Sequence, residues 1–231
     1  MNSALRQSAA HVFVESLSEP VLGEADHHHL ARALRLRVGE VVSASDGRGS
    51  WLTCTYQRDG ELAPSSDVVS ENVPFPQLTV GFVTPKGDRP EWIVQKLTEL
   101  GLDRIVVLTA DRSVVRWAPD RVERQLDRLR RVAREAAMQS RRVWLPSVEG
   151  PITATTLRGH GTALAEPGGE PLTLSTPTVL IGPEGGWSPS ELAAFDHQCQ
   201  LGTTILRAET AAVAAGVRLA WLRDDAARNM S

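Results

Sequence analysis

With 231 residues, 42% hydrophobic and 23% charged, the chain can bury a real core as one large domain or two small ones, and it is too apolar for a disordered segment. Its two cysteines, Cys54 and Cys199, cannot build a disulfide framework, and no apolar run approaches the roughly 20 residues of a spanning helix. A soluble protein of the reducing cytoplasm with no membrane partner is expected, and a net charge of −3 excludes one that coats nucleic acid over its whole surface.

Residues 11–14, 41–44, 51–56 and 68–69 read as short β-runs, punctuated by the turn signals Asp46-Gly47 and Asp59-Gly60. One helical segment near residues 27–36 interrupts them, and a small β-barrel is the natural reading. Glu71-Asn-Val-Pro-Phe-Pro76 resists both helix and central strand, because two prolines fall within three residues, so a domain boundary is placed between residues 74 and 75.

Beyond that point strands and helices alternate. Residues 78–83 form an apolar strand, and Asp88, with Glu91 three residues on, reads as the cap of a helix that carries Trp92, Ile93, Leu97 and Leu100 and closes at Gly101. Residues 105–108 make another buried strand. A long helix over 119–138 puts Val122, Leu126, Leu129, Val132, Ala133 and Ala136 on one stripe and most of its arginines on the other side.

Between positions 112 and 142 ten arginines face four acids, a local charge of +6 that leaves −9 for the rest of the chain. Such segregation suits a phosphate-binding face, since guanidinium grips phosphate with two coplanar donors; a solvated, salt-bridged helix surface accounts for it equally well. Strands at 162–165 and 178–181, a capping box in Ser188-Pro-Ser-Glu191 and a helix over 209–222 complete the pattern. Apolar strands alternating with helices predict a parallel sheet covered on both faces.

In open parallel sheets ligands bind beyond the carboxyl ends of the strands, and Gly182-Pro-Glu-Gly-Gly186 stands at such an end. It has neither the spacing of a dinucleotide fingerprint nor the lysine of a phosphate loop, and Glu184 would repel phosphate. A cationic donor with ribose hydroxyls, such as S-adenosylmethionine, suits the sign of that charge; a plain strand-to-helix turn is the simpler alternative. A second segment, Leu201-Gly-Thr-Thr-Ile-Leu-Arg-Ala-Glu-Thr-Ala211, puts Arg207 and Glu209 at the entry of an alanine-rich helix. A cation there opposes the helix dipole, which argues for use over stability, whereas a simple Arg207–Glu209 pair is the bland reading.

Together with Lys86-Gly-Asp-Arg-Pro-Glu-Trp-Ile-Val-Gln-Lys-Leu-Thr-Glu-Leu-Gly101, Arg112-Ser-Val-Val115 and Arg134-Glu-Ala-Ala-Met-Gln-Ser-Arg141, these segments resemble the ribosomal small subunit methyltransferase E family of the SPOUT superfamily, in order and over nearly the whole chain. The resemblance implies an α+β two-domain protein: an RNA-binding PUA-like β-barrel over residues 1–74 and an α/β SPOUT methyltransferase domain with a trefoil knot over 75–231, assembled as a homodimer. General topological rules argue against a knot, so that feature rests on the resemblance alone.

The implied activity is methylation of a specific uridine at N3 in the decoding region of 16S ribosomal RNA, naked or within the small ribosomal subunit, with S-adenosyl-L-methionine as donor. By the same resemblance the donor lies against Ala165, Glu166, Ile181, Gly182, Glu184, Gly185, Leu201, Gly202, Ile205, Leu206 and Arg207. The RNA-facing set is Arg6, Arg32, Lys86, Arg89, Arg112, Arg134, Gln139 and Arg141. Met138 departs from the family pattern, which more often has an acid there.

Transfer to N3 requires its proton to leave and the resulting anion to be stabilised, and N3 lies on the Watson-Crick edge, so the base must be unpaired or extruded. Arg207 is the candidate to hold the anionic uracil. Glu209 is the candidate base, with hydroxide as its rival. No metal is expected, because His27-His-His29 fan around a helix and cannot converge on one ion. Most of the six tryptophans should be core, Trp187 being the one placed to stack on a base. Ribose 2'-O-methylation by a related SPOUT enzyme and a non-catalytic RNA-binding module are the rival readings.

Overall fold

The structure is a computed structural model that describes residues 2–229, without the side chains of His29, Ala33 and Asp59. The third histidine of the run at 27–29 therefore lies outside the described side chains. Two units emerge: one runs to Val73 and takes in Arg134–Leu145, the other is Pro74–Ala133 together with the chain from Pro146 onward. A cut between residues 74 and 75 thus leaves one later segment in the wrong unit, because residues 134–145 bury their apolar side chains with the N-terminal strands.

In the first unit, α1 (Ser3–Gln7) leads into β1 (Ala10–Phe13), and α2 (Glu24–His28) continues as a wider helical turn through His29–Ala33. β1 pairs parallel with β2 (Val41–Ser45), which pairs antiparallel with β3 (Ser50–Tyr56). β3 in turn carries both β4 (Leu62–Pro64) and β5 (Val69–Ser70). Val12, Leu30, Val42, Ala44, Leu52 and Cys54 close the core, with Ala137 and Met138 from the end of α4 (Val122–Gln139) packed among them. An apolar residue at 138 is what this packing needs, which explains the departure from an acid there.

Arg134 pins that helix end. Its guanidinium donates to both oxygens of the buried Asp26 carboxylate at 2.9 and 2.6 Å and to the Phe13 carbonyl at 3.1 Å, and it lies over the Phe13 ring. Deeper in, His11 is 3% exposed. Its Nε2 faces the Arg142 carbonyl at 3.0 Å and must be the donor, so Nδ1 accepts from the Ser43 hydroxyl at 2.8 Å. Burial pushes its pKa down to about 4, so the ring stays neutral in the folded chain.

In the second unit six parallel strands form one sheet in the order β11-β9-β10-β6-β7-β8. These are β6 (Thr79–Val83), β7 (Arg104–Thr109), β8 (Ser147–Thr153), β9 (Thr162–Pro171), β10 (Thr178–Ile181) and β11 (His197–Gln200). Alternate residues go to opposite faces. Val80, Phe82, Ile105, Val107, Val179 and Ile181 pack with α3 (Arg89–Glu99), α4 and α6 (Ala208–Asn229), while Val106, Leu108, Leu164 and Leu180 pack with Trp187 and Phe195, which flank α5 (Pro189–Ala193).

β8 and β11 escape the sequence pattern because both are edge strands. One carries Gly150-Pro151 and the other reads His-Gln-Cys-Gln, so neither needs apolar residues on two faces. Asp88 precedes α3 as expected but its side chain caps nothing; Glu91 instead binds Arg128 at 2.9 Å. At the far end of the sheet Arg223 ties α6 to the Asp103 carboxylate and the Gly101 carbonyl. Among the described residues no helix is long and apolar enough to cross a membrane.

Gly169 governs how closely β11 approaches β9. A Cβ built there would stand 2.7–2.8 Å from backbone atoms of Gln198 and Cys199, which cannot yield without moving the strand. Gly169→Ala is expected to cost about 1–3 kcal/mol of unfolding free energy, read as a lowered urea midpoint at unchanged slope. Gly159→Ala, with open space around it, should stay near wild type.

His11 sets a pH dependence in the first unit. Its folded pKa of about 4 lies below the ordinary 6.5, so the unfolded chain binds the extra proton between those values and stability falls as pH drops through that window. The loss by pH 4 amounts to roughly 3 kcal/mol at most. Denaturant titrations of wild type and His11→Gln across pH 7 to 4 should show the steeper decline in wild type.

Candidate active site

Parallel pairing of β9, β10 and β6 sends their carboxyl ends to one edge of the sheet, and a cavity of about 410 Å³ opens there. Ala165, Glu166 and Pro167 line it from β9. Ile181, Gly182, Pro183, Glu184, Gly186 and Trp187 line it from the end of β10 and the glycine corner. Leu201, Gly202, Thr204, Ile205, Leu206 and Arg207 form the opposing wall, and Ala208 and Ala211 close it from the first turn of α6. The two segments singled out by sequence therefore face each other across one cavity.

Ten of the eleven residues expected to hold the donor line this cavity. Gly185 does not; its carbonyl turns outward and accepts from the Arg112 guanidinium at 2.9 Å. The residues missed by sequence, Pro167, Thr204, Ala208 and Ala211 among them, are neighbours of expected ones, and the small alanines of α6 were the available signal. Trp187 is no stacking platform for RNA. It is buried, donates from Nε1 to the Ala165 carbonyl at 3.2 Å, and packs so tightly on Gly182 that a Cβ there would come within 3.0 Å of the indole.

A second layer of contacts holds the glycine corner in place. Arg112 also donates to the Trp187 carbonyl at 3.2 Å, while Asp111 accepts from the Ser188 hydroxyl at 2.6 Å and donates its backbone N–H to Glu191. Ser188 and Glu191 form the capping box that starts α5, as their spacing predicts. The loop after β7 is thereby stitched to the loop after β10.

Arg207 and Glu209 part company. Arg207 lines the cavity, and its carbonyl accepts from Ala211 N–H at 2.8 Å, so it sits at the entry of α6. Glu209 does not line the cavity: its carboxylate lies 3.6 Å from Arg89, not on Arg207, and its Oε2 is buried without a hydrogen-bond donor. A base inside the cavity is therefore not supplied by Glu209. The remaining charges on the lining are Glu166 and Glu184 against Arg207, an acidic balance that favours a cationic ligand.

The residues expected to face RNA divide into two groups. Arg89, Arg112, Arg134 and Arg141 have protein partners, Arg141 donating to the Ser8 hydroxyl at 2.6 Å, whereas Arg6, Arg32, Lys86 and Gln139 are exposed. On α4 and the segment before it, Arg128 and Arg130 pair with acids, while Arg116, Arg121, Arg124 and Arg131 are exposed with no acid partner among the described residues. The salt-bridged reading of the arginine-rich segment holds for Arg128 and Arg130 but not for these four. Trp92 and Trp221 are exposed, so the tryptophans are less uniformly core than expected.

His27 packs on the Gly60 backbone and His28 is exposed. Among the described residues no three His, Cys, Asp or Glu stand together as a metal site. Burial raises both thiols, Cys54 and Cys199, to a pKa of about 11, so neither offers a thiolate nucleophile at neutral pH.

Comparison with known proteins agrees with this layout. Residues 71–220 match a family model described as an RNA methyltransferase domain, and residues 22–62 match one described as an RNA methyltransferase PUA domain. Ribosomal RNA small subunit methyltransferase E of Mycobacterium bovis is 32% identical over 210 residues, covering 81% of this chain and 80% of that protein. Among solved structures, a probable rRNA-methyltransferase from Porphyromonas gingivalis aligns at a TM-score of 0.76 and 24% identity, over 94% of this chain and 99% of that one. Ribosomal RNA small subunit methyltransferase E from Neisseria gonorrhoeae, solved bound to S-adenosyl methionine, aligns at 0.73 and 24% identity, over 92% and 97%. At those identities the two structures speak for the fold, a PUA-like domain joined to an α/β methyltransferase domain. The chain belongs to the ribosomal RNA small subunit methyltransferase E family.

Proposed function

We propose that this protein methylates N3 of a specific uridine in the decoding region of 16S ribosomal RNA, with S-adenosyl-L-methionine as donor. The observation that carries the reading is the single cavity shared by the acid-bearing glycine corner and the Arg207 segment. Its volume of about 410 Å³ suits a nucleoside-sized ligand, and its two carboxylates suit a ligand bearing ammonium and sulfonium. When bound, the donor supplies an electrophilic methyl group. Glu166 and Glu184 hold its positive charge, Ala165, Ile181, Gly182 and Leu201 give close backbone and apolar walls, and Arg207 faces the incoming base.

Arg207 stabilises the uracil anion that forms as the N3 proton leaves. The proton passes to hydroxide or solvent, since Glu209 is engaged by Arg89 outside the cavity. An unpaired or extruded uridine presents its Watson-Crick edge to this site. The N-terminal unit, a PUA-like barrel completed by residues 134–145, contributes Arg6 and Arg32 to RNA contact, and the methyltransferase unit contributes Lys86 and the exposed arginines of the long helix. The substrate is 16S RNA, naked or in the small subunit.

Two finer features fit the same reading. α6 follows the edge strand β11 yet packs against β6, β10 and α3, so the chain end crosses back past β9, as a trefoil knot requires. The exposed apolar side chains Val217 and Trp221 on α6 and Trp92 on α3 are candidates for a homodimer contact.

Incubation with small subunits or naked 16S RNA from a strain lacking the enzyme should add one methyl per RNA, found on uridine N3 by nucleoside mass spectrometry; a methyl on ribose would refute the reading. Arg207→Ala should lower single-turnover rate by roughly 10²- to 10³-fold with a far smaller change in donor affinity.

The sign of charge in the cavity can be tested separately by calorimetry. Glu184→Gln should weaken S-adenosylmethionine by about 5-fold and leave S-adenosylhomocysteine, which lacks the sulfonium charge, nearly unchanged.

A further inference from the structure

A second cavity, of about 230 Å³, lies within the methyltransferase unit beyond the carboxyl ends of β6 and β7. Because β6 pairs with β10, it opens on the same sheet edge as the donor cavity. Lys86, Glu91, Trp117, Gln125 and Arg128 line it. Its volume is below the usual range for whole cofactors and suits a single base with part of its backbone.

The lining chemistry is that of a nucleotide site. Trp117 is half-buried and gives a flat apolar face, and Gln125 offers an amide donor and acceptor in reach of a base edge. Glu91 spends one oxygen on Arg128 at 2.9 Å, and its Oε2, buried and without a hydrogen-bond donor, remains to accept from a ring or exocyclic N–H. Lys86 is exposed on the lining, a cation that suits a phosphate. Two cations against one acid make this cavity positive, opposite in sign to its neighbour.

Contacts tie the surroundings of the two cavities together. Arg89, on the loop side of the smaller cavity, pairs with Glu209 at the start of α6, whose first turn closes the donor cavity. Arg112, from the same post-β7 segment that carries Trp117, holds the glycine corner through two carbonyls.

We infer that this cavity is a nucleotide subsite that takes one unpaired base flanking the target uridine, stacked on Trp117, read by Gln125 and Glu91, with its phosphate on Lys86. The inference rests on the methylation of RNA proposed above. It makes Trp117 and Gln125 positioning residues for the substrate strand, with no part in holding the donor.

The test titrates small subunits and naked 16S RNA lacking the methyl against wild type, Trp117→Ala, Trp117→Phe, Gln125→Ala and Lys86→Ala, with calorimetric S-adenosylmethionine affinity measured on each. Trp117→Ala should weaken RNA binding by roughly 5- to 100-fold, with Trp117→Phe restoring most of it. Gln125→Ala should raise KM for RNA, Lys86→Ala should flatten the salt dependence by about one ion, and donor affinity should be unchanged in all.

Since Trp117 also packs against the core, the exposed Lys86 and the half-buried Gln125 decide the matter if Trp117→Ala unfolds. Unaltered RNA affinity in Gln125→Ala and Lys86→Ala, or a parallel loss of donor binding, overturns the subsite. Failure of the wild-type chain to transfer any methyl sinks the activity instead, and the RNA titrations still decide the subsite.

Discussion

Parallel pairing along β9, β10 and β6 is the constraint on which the rest depends, because only parallel strands deliver successive carboxyl ends, and the loops that follow them, to the same edge. The loops themselves carry little regular structure and would not hold a cavity alone. Arg112 spans from the post-β7 loop to two carbonyls of the glycine corner, and the Ser188–Glu191 capping box anchors the corner's other end to Asp111. Backbone carbonyls that would otherwise point at solvent become the acceptors of a guanidinium, which fixes the corner through main-chain atoms and leaves Glu184 on the cavity lining.

Arginine does three different jobs in this chain, and the distinction follows from burial and partners. Arg134 and Arg223 are fasteners, each spread over a carboxylate and one or more carbonyls, where a lysine could not satisfy so many acceptors at once. Arg130 belongs to an exposed cluster with Glu123 and Asp127 that adds little to stability, while Arg128 pairs with the partly buried Glu91. Arg116, Arg121, Arg124 and Arg131 keep their charge free for an anion, and they account for the segregation of charge in a protein whose net charge is negative. A cluster of unpaired cations on an acidic body keeps the positive potential local.

The sequence made the sheet's central strands legible because they are apolar on both faces, and the donor cavity legible because glycine, proline and one acid at a strand end are hard to explain by packing alone. It did not reveal β8 and β11, which as edge strands can be polar. Nor could it assign residues 134–145 to the N-terminal unit, since amphipathic periodicity tells which side of a helix is buried but not what buries it. Side-chain partners were the least legible of all: Glu209 stands two residues from Arg207 and 120 residues from Arg89 in sequence, yet geometry pairs it with Arg89. The Trp117 cavity was invisible for the same reason, because its lining comes from three separated segments with no shared motif.

The Arg89–Glu209 pair bears on the electrostatics of the cavity. α6 is 22 residues long, and its first turn, through Ala208 and Ala211, faces the donor cavity. A helix of that length presents partial positive charge at its N-terminus, and an unpaired glutamate in the first turn would offset it. Arg89 compensates the Glu209 charge, so the helix end and Arg207 act together on whatever approaches from the cavity side. The entry of α6 and Arg207 thus form the positive side of the cavity, and Glu166 and Glu184 supply its negative charge. Fixed charges of both signs line one cavity, so a ligand or transition state with matching charge separation meets a field already in place before it arrives.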